Sequence, residues 1–234
     1  MSTPQNESKM TMGDFVAGLK KPHIVALCGS QRKGSFNKLL LDSAVKHLNA
    51  NGATCEFVDL ADLKLPMYNP DDEAASFPEA AKEFKKKLVA CDGLMITCPE
   101  YNGLMTPLLL NALTWATRGE GGMYDAFKGT CATVMATSPG KMGGLRMVRS
   151  LQGFLQDMGC VVIPTHCAFG GAFKLFNKDG SIKDVRANSS VQTACSQLIH
   201  HARFEANRDY NCKIVKAIKG QKVMGEYGAV FDVL

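Results

Sequence analysis

Three clusters of residues in this 234-residue chain have types and spacings suited to chemistry. The first runs Gly29, Ser30, Gln31, Arg32, Lys33, Gly34, Ser35, Phe36, Asn37. Ser30, Ser35 and Asn37 bring side-chain hydrogen-bond donors, and Arg32 brings charge on a planar fork. A helix starting near Ser35 would aim its unpaired N–H groups into the same space, as helix N-termini do toward anions. Together these suit a phosphate monoester with a charge near −2. The spacing is neither Gly-x-Gly-x-x-Gly nor a Walker loop ending in Gly-Lys-Ser/Thr. Ser-rich turns before helices are also common as plain caps, so this cluster alone leaves both readings open.

The second cluster is Pro99, Glu100, Tyr101, Asn102, Gly103, followed by Thr106 and Pro107. Restricted residues here hold a short backbone segment in a turn whose peptide groups can hydrogen-bond the edge of a heterocycle. An N–H so placed stabilises negative charge that develops during reaction. Tyr101 can pack its ring beside a planar group, and Gly103 allows close backbone approach. A strand terminator followed by a surface aromatic would look the same on spacing alone. The third cluster, Ser138, Pro139, Gly140, Lys141, Met142, Gly143, Gly144, is Gly-rich and leads at once into a helical pattern. A flexible connection is its plain alternative. Position separates the readings, because all three clusters follow strand-like runs.

Those runs alternate with longer segments of helical period, which implies βαβ units and a parallel sheet. Strands are expected at His23–Cys28, Thr54–Val58, Gly93–Cys98, Thr130–Thr137 and Cys160–His166. Helices are expected from the Ser35 cap to about Ala50, from a Ser76–Glu79 capping box to about Ala90, and from the Thr106 cap to about Thr117. Two more are expected over 145–158, closed by Gly159, and over 185–207. Long loops are expected between Val58 and Ser76 and over 170–184. The pattern gives an α/β, doubly wound, five-stranded parallel sheet of order 2-1-3-4-5 with helices on both faces. Such sheets bind ligands at the carboxyl ends of the strands, where the order switches direction. Residues 1–21 read as a tail, 22–207 as one domain and 208–234 as an extension.

Composition narrows the function. Hydrophobic residues make up 46% and charged residues 21%, which excludes general disorder. The net charge of +5 is spread along the chain with no dense basic block, so no nucleic-acid partner is expected. There is no run of about twenty apolar residues, so no membrane span is expected. The start of the chain lacks a secretory pattern, and a cytoplasmic location is expected. The nine cysteines are odd in number and show no Cys-x-x-Cys pair, which fits reduced thiols better than disulfides or zinc. His200 and His201 are adjacent and would point to different helix faces, so no metal site is expected.

Taken together, the three clusters closely resemble the NAD(P)H-dependent FMN reductase family. Its Gly-Ser-x-Arg-x-x-Ser-x-Asn is matched by Gly29, Ser30, Arg32, Ser35 and Asn37. Its Pro-Glu-Tyr-Asn and Asn-Ala-x-x-Trp are matched by Pro99–Asn102 and by Asn111, Ala112 and Trp115. Its Ser-x-Gly-x-x-Gly-Gly is matched by Ser138, Gly140, Gly143 and Gly144. The resemblance spans roughly residues 22–205. It implies a flavodoxin-like fold, bound FMN, NADPH or NADH as electron donor, and a homodimer or homotetramer. Carried over, Ser30, Arg32, Ser35, Phe36 and Asn37 hold the FMN phosphate. Pro99, Glu100, Tyr101 and Asn102 lie along the isoalloxazine, and Ser138 and Gly140 close its other side. The chemistry then sits on flavin N5, supported by the backbone near Tyr101, Asn102 and Gly103, with no side chain needed as acid or base. Family members reduce free flavins, quinones, azo dyes or metal oxyanions.

Two other classes compete. A flavodoxin-type electron carrier, or a flavin-bound sensor with no substrate of its own, would share the fold; the +5 charge and Arg32 speak against the carrier. A hydrolase would need a Gly-x-Ser-x-Gly elbow, which is missing, and His166 reads as a strand-end packing residue rather than a triad member.

Overall fold

The computed structural model describes residues 19–208. Six strands form one sheet: β1 (His23–Cys28), β2 (Thr54–Val58), β3 (Gly93–Thr97), β4 (Cys131–Thr137), β5 (Val161–Val162) and β6 (Cys167–Phe169). The helices are α1 (Phe36–Ala50), α2 (Pro70–Ala75), α3 (Glu79–Val89), α4 (Pro107–Ala116), α5 (Leu145–Asp157), α6 (Ala172–Leu175) and α7 (Val185–Ala206). Every ladder is parallel, and the order is β2-β1-β3-β4-β5, with β6 pairing the far half of β4. This is the flavodoxin-like doubly wound order expected from the sequence.

Period-two alternation along the central strands divides the core into two layers. Val25 and Leu27, Leu94 and Ile96, and Ala132 and Val134 face α3, α4 and α5. Ile24 and Ala26, Met95, and Cys131 and Met135 face α1 and α7. On α1 the buried stripe is Leu40, Leu41, Ala44 and Leu48, the i, i+1, i+4, i+8 spacing that one helix face requires.

Four expectations need correction. The fifth strand is not continuous over 160–166. Ile163 donates its N–H to Ala132 (2.8 Å), but Pro164 has no N–H to continue the ladder, and the chain rejoins β4 only at Cys167. His166 lies exposed in that interruption rather than packed at a strand end. The Ser76–Glu79 capping box does not form, because Pro78 occupies the N-cap and no side chain caps α3. The loops expected over 59–75 and 170–184 contain α2 and α6. In α2 the Asn69 side chain accepts from Asp71 N–H (3.0 Å), and three acids follow in the first turn, where the helix dipole favours them. The expected tail over 1–21 and extension over 208–234 lie outside the described residues, except for residues 19–21 and 208.

Asn111 and Trp115 sit one turn apart on α4 and grip the same peptide. Asn111 Nδ2 (2.9 Å) and Trp115 Nε1 (2.8 Å) both donate to the Pro66 carbonyl, and Asn111 Oδ1 accepts from Tyr68 N–H (2.8 Å). The fully buried indole also meets the rings of Tyr68 and Phe77 edge-on at 5.1 and 5.4 Å. These contacts hold residues 66–68 beside the second loop. Trp115→Ala is expected to lower unfolding free energy by about 3–5 kcal/mol, read from denaturant titration.

Candidate functional site

The register of β1, β3 and β4 sets Cys28 beside Thr97, and Thr97 beside Met135, so the three loops leave one edge of the sheet. Hydrogen bonds then join them. Gly29 donates its N–H to Thr97 O (2.8 Å), and its carbonyl accepts from Thr106 Oγ1 (2.7 Å). A Cβ on Gly29 would stand 2.5 Å from Cys98 Sγ, so this approach requires glycine. Thr97 Oγ1 donates to the Asn37 carbonyl (3.0 Å). The Asn37 amide bridges to the end of β4: Nδ2 donates to Thr137 O and Oδ1 accepts from Thr137 N–H, both at 3.0 Å.

The first loop wraps the start of α1. Ser35 is the N-cap, and its Oγ accepts from Lys38 N–H at 3.3 Å. Ser35 N–H donates to Arg32 O (3.1 Å), closing the turn, while Gly34 takes a left-handed φ of 68°. The N–H groups of Phe36 and Asn37 have no partner among the described residues. Arg32 is exposed and makes no ion pair among them. Ser30, Arg32, Ser35, Phe36 and Asn37 are thus brought together around a helix N-terminus. The buried Asn37 amide is engaged by Thr137, while the Asn37 backbone N–H has no partner among the described residues. The Phe36 ring stacks parallel to Phe176 and edge-on to Phe173, partners the sequence did not single out.

In the second loop, Tyr101 and Leu104 exchange backbone hydrogen bonds of 2.9 and 3.0 Å. Asn102 and Gly103 between them have φ of 53° and 87°, the two left-handed positions of a type I′ turn, which Asn-Gly favours. Tyr101 N–H is therefore engaged, and the N–H groups of Asn102 and Gly103 are those without partners among the described residues. The Tyr101 side chain is 53% exposed. It borders a cavity of about 560 Å³ whose walls include Met67, Tyr68, Leu104 and Leu110.

The Glu100 carboxylate points away from that cavity, toward the third loop. Gly144, the N-cap of α5, has no side chain to cap with and a φ of 88°. Glu100 performs the task from the second loop: Oε2 accepts from Arg146 N–H (3.2 Å) and Met147 N–H (3.3 Å), and Oε1 from Arg146 Nε (2.7 Å). Its side chain is only 10% exposed. Burial, the largest single influence, works to raise its pKa, but the Arg146 guanidinium and the two amides together outweigh it and lower the pKa. The third loop also packs on residues 169–170. Ser138 N–H donates to Phe169 O (3.1 Å), and a Cβ on Gly143 would stand 2.4 Å from Phe169 C. Ser138 and Gly140 lie on this loop at the same edge. Arg146, Thr97 and Thr137 were not legible from sequence, because their roles come from partners distant along the chain.

Among the described residues all eight cysteines are free, seven buried and Cys55 partly so. Burial pushes the thiols up: Cys98, beneath the second loop, to about 11, Cys91, Cys131 and Cys160 to about 12. Thiolate nucleophiles are therefore absent from these positions near neutral pH. Among the described residues no group of three or more His, Cys, Asp or Glu side chains is placed to hold a metal ion, and no helix is long and apolar enough to cross a membrane.

Residues 22–174, which contain all three loops, match the family model of NADPH-dependent FMN reductases. The chain belongs to that family. It is accordingly an oxidoreductase, and FMN and NAD(P)H are the cofactors its family chemistry calls for. This FMN reductase family member is 33% identical over 164 residues to a quinone reductase of Pseudomonas putida, covering 69% of this chain and 84% of that one. It is 32% identical over 169 residues to an NAD(P)H:quinone oxidoreductase of Solanum tuberosum, covering 69% and 82%. Among solved structures it is similar to FerB, a flavoenzyme NAD(P)H:(acceptor) oxidoreductase from Paracoccus denitrificans. The TM-score is 0.69 at 27% identity, over 79% of this chain and 98% of that one.

Two outcomes follow from this geometry. Asn37→Ala strands both backbone groups of Thr137 in a buried setting and is expected to cost about 2 kcal/mol in denaturant unfolding. A carboxylate whose pKa is lower in the folded state stabilises the fold above its unfolded pKa, and that contribution disappears as pH falls through the folded one. The stability gap between the wild type and Glu100→Gln should therefore be open at neutral pH and close in acid, below the ordinary carboxylate range.

Proposed function

We propose that this reductase takes hydride from NAD(P)H, with NADPH favoured, and delivers electrons to small-molecule acceptors, of which quinones fit best. The observation that carries the reading is the pairing of two sets of unpartnered amides on one edge. Those of Phe36 and Asn37 lie beside Arg32, and those of Asn102 and Gly103 stand in the Tyr101–Leu104 turn, whose residues Tyr101, Asn102 and Leu104 line an apolar cavity. The peptide of Gly29 ties the two loops together.

The first set suits the head group of FMN. A dianionic phosphate needs N–H donors, hydroxyls and a cation in one place, and Ser30, Arg32, Ser35, Phe36 and Asn37 supply them at a helix N-terminus. Pro99, Glu100, Tyr101 and Asn102 would then run along the isoalloxazine, with Ser138 and Gly140 on its other side. FMN, when bound, supplies the two-electron relay between nicotinamide and acceptor. The Asn102 and Gly103 N–H groups would donate to the ring edge where negative charge develops, with no reorganisation at the moment of reaction. Both Glu100 oxygens are held by α5, so protons come from solvent rather than from this carboxyl.

The acceptor reading rests on the cavity. Met67, Tyr68, Tyr101, Leu104 and Leu110 offer an apolar, aromatic surface that suits a planar quinone better than a charged oxyanion. Relatives named for quinone reduction support the same choice. Free flavin and azo compounds share the planar shape. Met67 is 70% exposed, and Leu104 and Leu110 are also open. A second copy of the chain laid over this rim would wall the cavity, which favours a homodimer.

The purified protein is expected to be yellow and to release FMN, not FAD, on denaturation. Colourless protein that FMN cannot reconstitute would refute the reading. Arg32→Ala is expected to weaken FMN binding about ten-fold or more, the loss of one charge-assisted hydrogen bond. Titration of apoprotein with FMN, followed by fluorescence, checks it, and an unchanged affinity removes Arg32 from the phosphate seat.

A further inference from the structure

We propose that Glu100 is a positioning residue that locks the Tyr101–Leu104 turn to the N-terminus of α5, and so fixes the slot between second and third loops in which the flavin ring lies. The inference rests on the FMN reading above and deepens it.

The starting point is a helix without a cap of its own. Among the first turns of helices in this fold, Ser35, Asn69, Thr106 and Asp184 each cap their helix with a neighbouring side chain. At α5 the N-cap is Gly144, and the N–H groups of Arg146 and Met147 are satisfied instead by a carboxylate 46 and 47 residues earlier in the chain. Glu100 stands immediately before Tyr101, the first residue of the turn that presents the Asn102 and Gly103 amides. A movement of that turn by a fraction of a hydrogen-bond length would strip α5 of its cap. A movement of α5 would in turn pull on the turn.

The packing around the pair points the same way. Gly144 has no Cβ because one would stand 2.6 Å from Ala136 Cβ on β4, and its next neighbour is Glu100 Cβ at 3.9 Å. Glycine thus lets the start of α5 settle against β4 and lets the carboxylate reach under it. With its side chain 10% exposed and three donors converging on it, Glu100 has little freedom to turn toward a ligand. Arg146, 67% exposed, completes the pair from the solvent side. The ion pair and the Arg146 amide contact lie at the surface and the Met147 amide contact is part-buried; an exposed ion pair contributes little, so the backbone contacts are the part that sets position.

The test measures the midpoint potential of bound FMN together with FMN affinity in the wild type, Glu100→Gln, Glu100→Ala and Arg146→Ala. Positioning predicts that Glu100→Ala shifts the potential negative, because loosened Asn102 and Gly103 amides stabilise the reduced ring less well. Glu100→Gln keeps one acceptor for the α5 amides and should move the potential the same way by less. Arg146→Ala keeps both amide contacts and should move it least. A purely electrostatic role predicts the opposite pattern: both Glu100 variants shift positive by similar amounts, Arg146→Ala shifts negative, and the proposal falls. Unchanged potentials in all three variants also overturn it. Should Glu100→Ala fail to fold, the sign of the Glu100→Gln shift decides. Wild-type protein that binds no FMN would defeat the cofactor reading itself, an outcome distinct from any of these.

Discussion

The carboxyl edge of this sheet depends on one residue, Gly29. It is held at 2.8 Å to β3 through its N–H and at 2.7 Å to Thr106 through its carbonyl, with Cys98 Sγ where a side chain would otherwise stand. Those contacts bring the start of α1 and the start of α4 to the same place. Two helix N-termini converging from adjacent strands give the edge a positive bias that no single side chain could supply. The Thr106 hydroxyl serves both sides of the junction, donating to Gly29 and accepting from Leu109 N–H to cap α4 (3.3 Å).

Around that residue the other ties form a closed circuit. Asn37 joins the first loop to β4, Thr97 joins β3 back to Asn37, and Glu100 joins the second loop to α5. Each uses a polar side chain in a buried or nearly buried position with its hydrogen bonds satisfied, an arrangement that favours one geometry over many. The open part of the site is the rim of Met67, Tyr101, Leu104 and Leu110, where no such ties hold the side chains. The buried ties and the exposed rim are therefore built from different residues.

The sequence revealed the layered fold because strand and helix periods were clean: the first four strands and α1, α4, α5 and α7 fall within a residue or so of expectation. It missed the break in the fifth strand because an apolar run reads as continuous until Pro164 is asked for the N–H it lacks. It missed α2 because the acids after Asn69 look like a solvated loop, although Asn-Pro before three acids is also a helix start. Cluster membership at the site was legible from topology, since loops after neighbouring parallel strands must share an edge. Individual roles were not. The Asn37 side chain is also a strut to Thr137, and the Glu100 carboxylate also caps a distant helix. Such roles depend on partners up to 100 residues away, and only the strand order brings them within reach.

The placement of the thiols has a consequence for durability. Quinones are Michael acceptors, and a protein that handles them risks arylation of its own sulfur. Here the attacking form is scarce twice over: most described thiols are shut inside the two core layers, and even half-open Cys55 has its pKa pushed to about 11. Under the quinone reading proposed above, the eight described thiols are therefore poor targets for the acceptor.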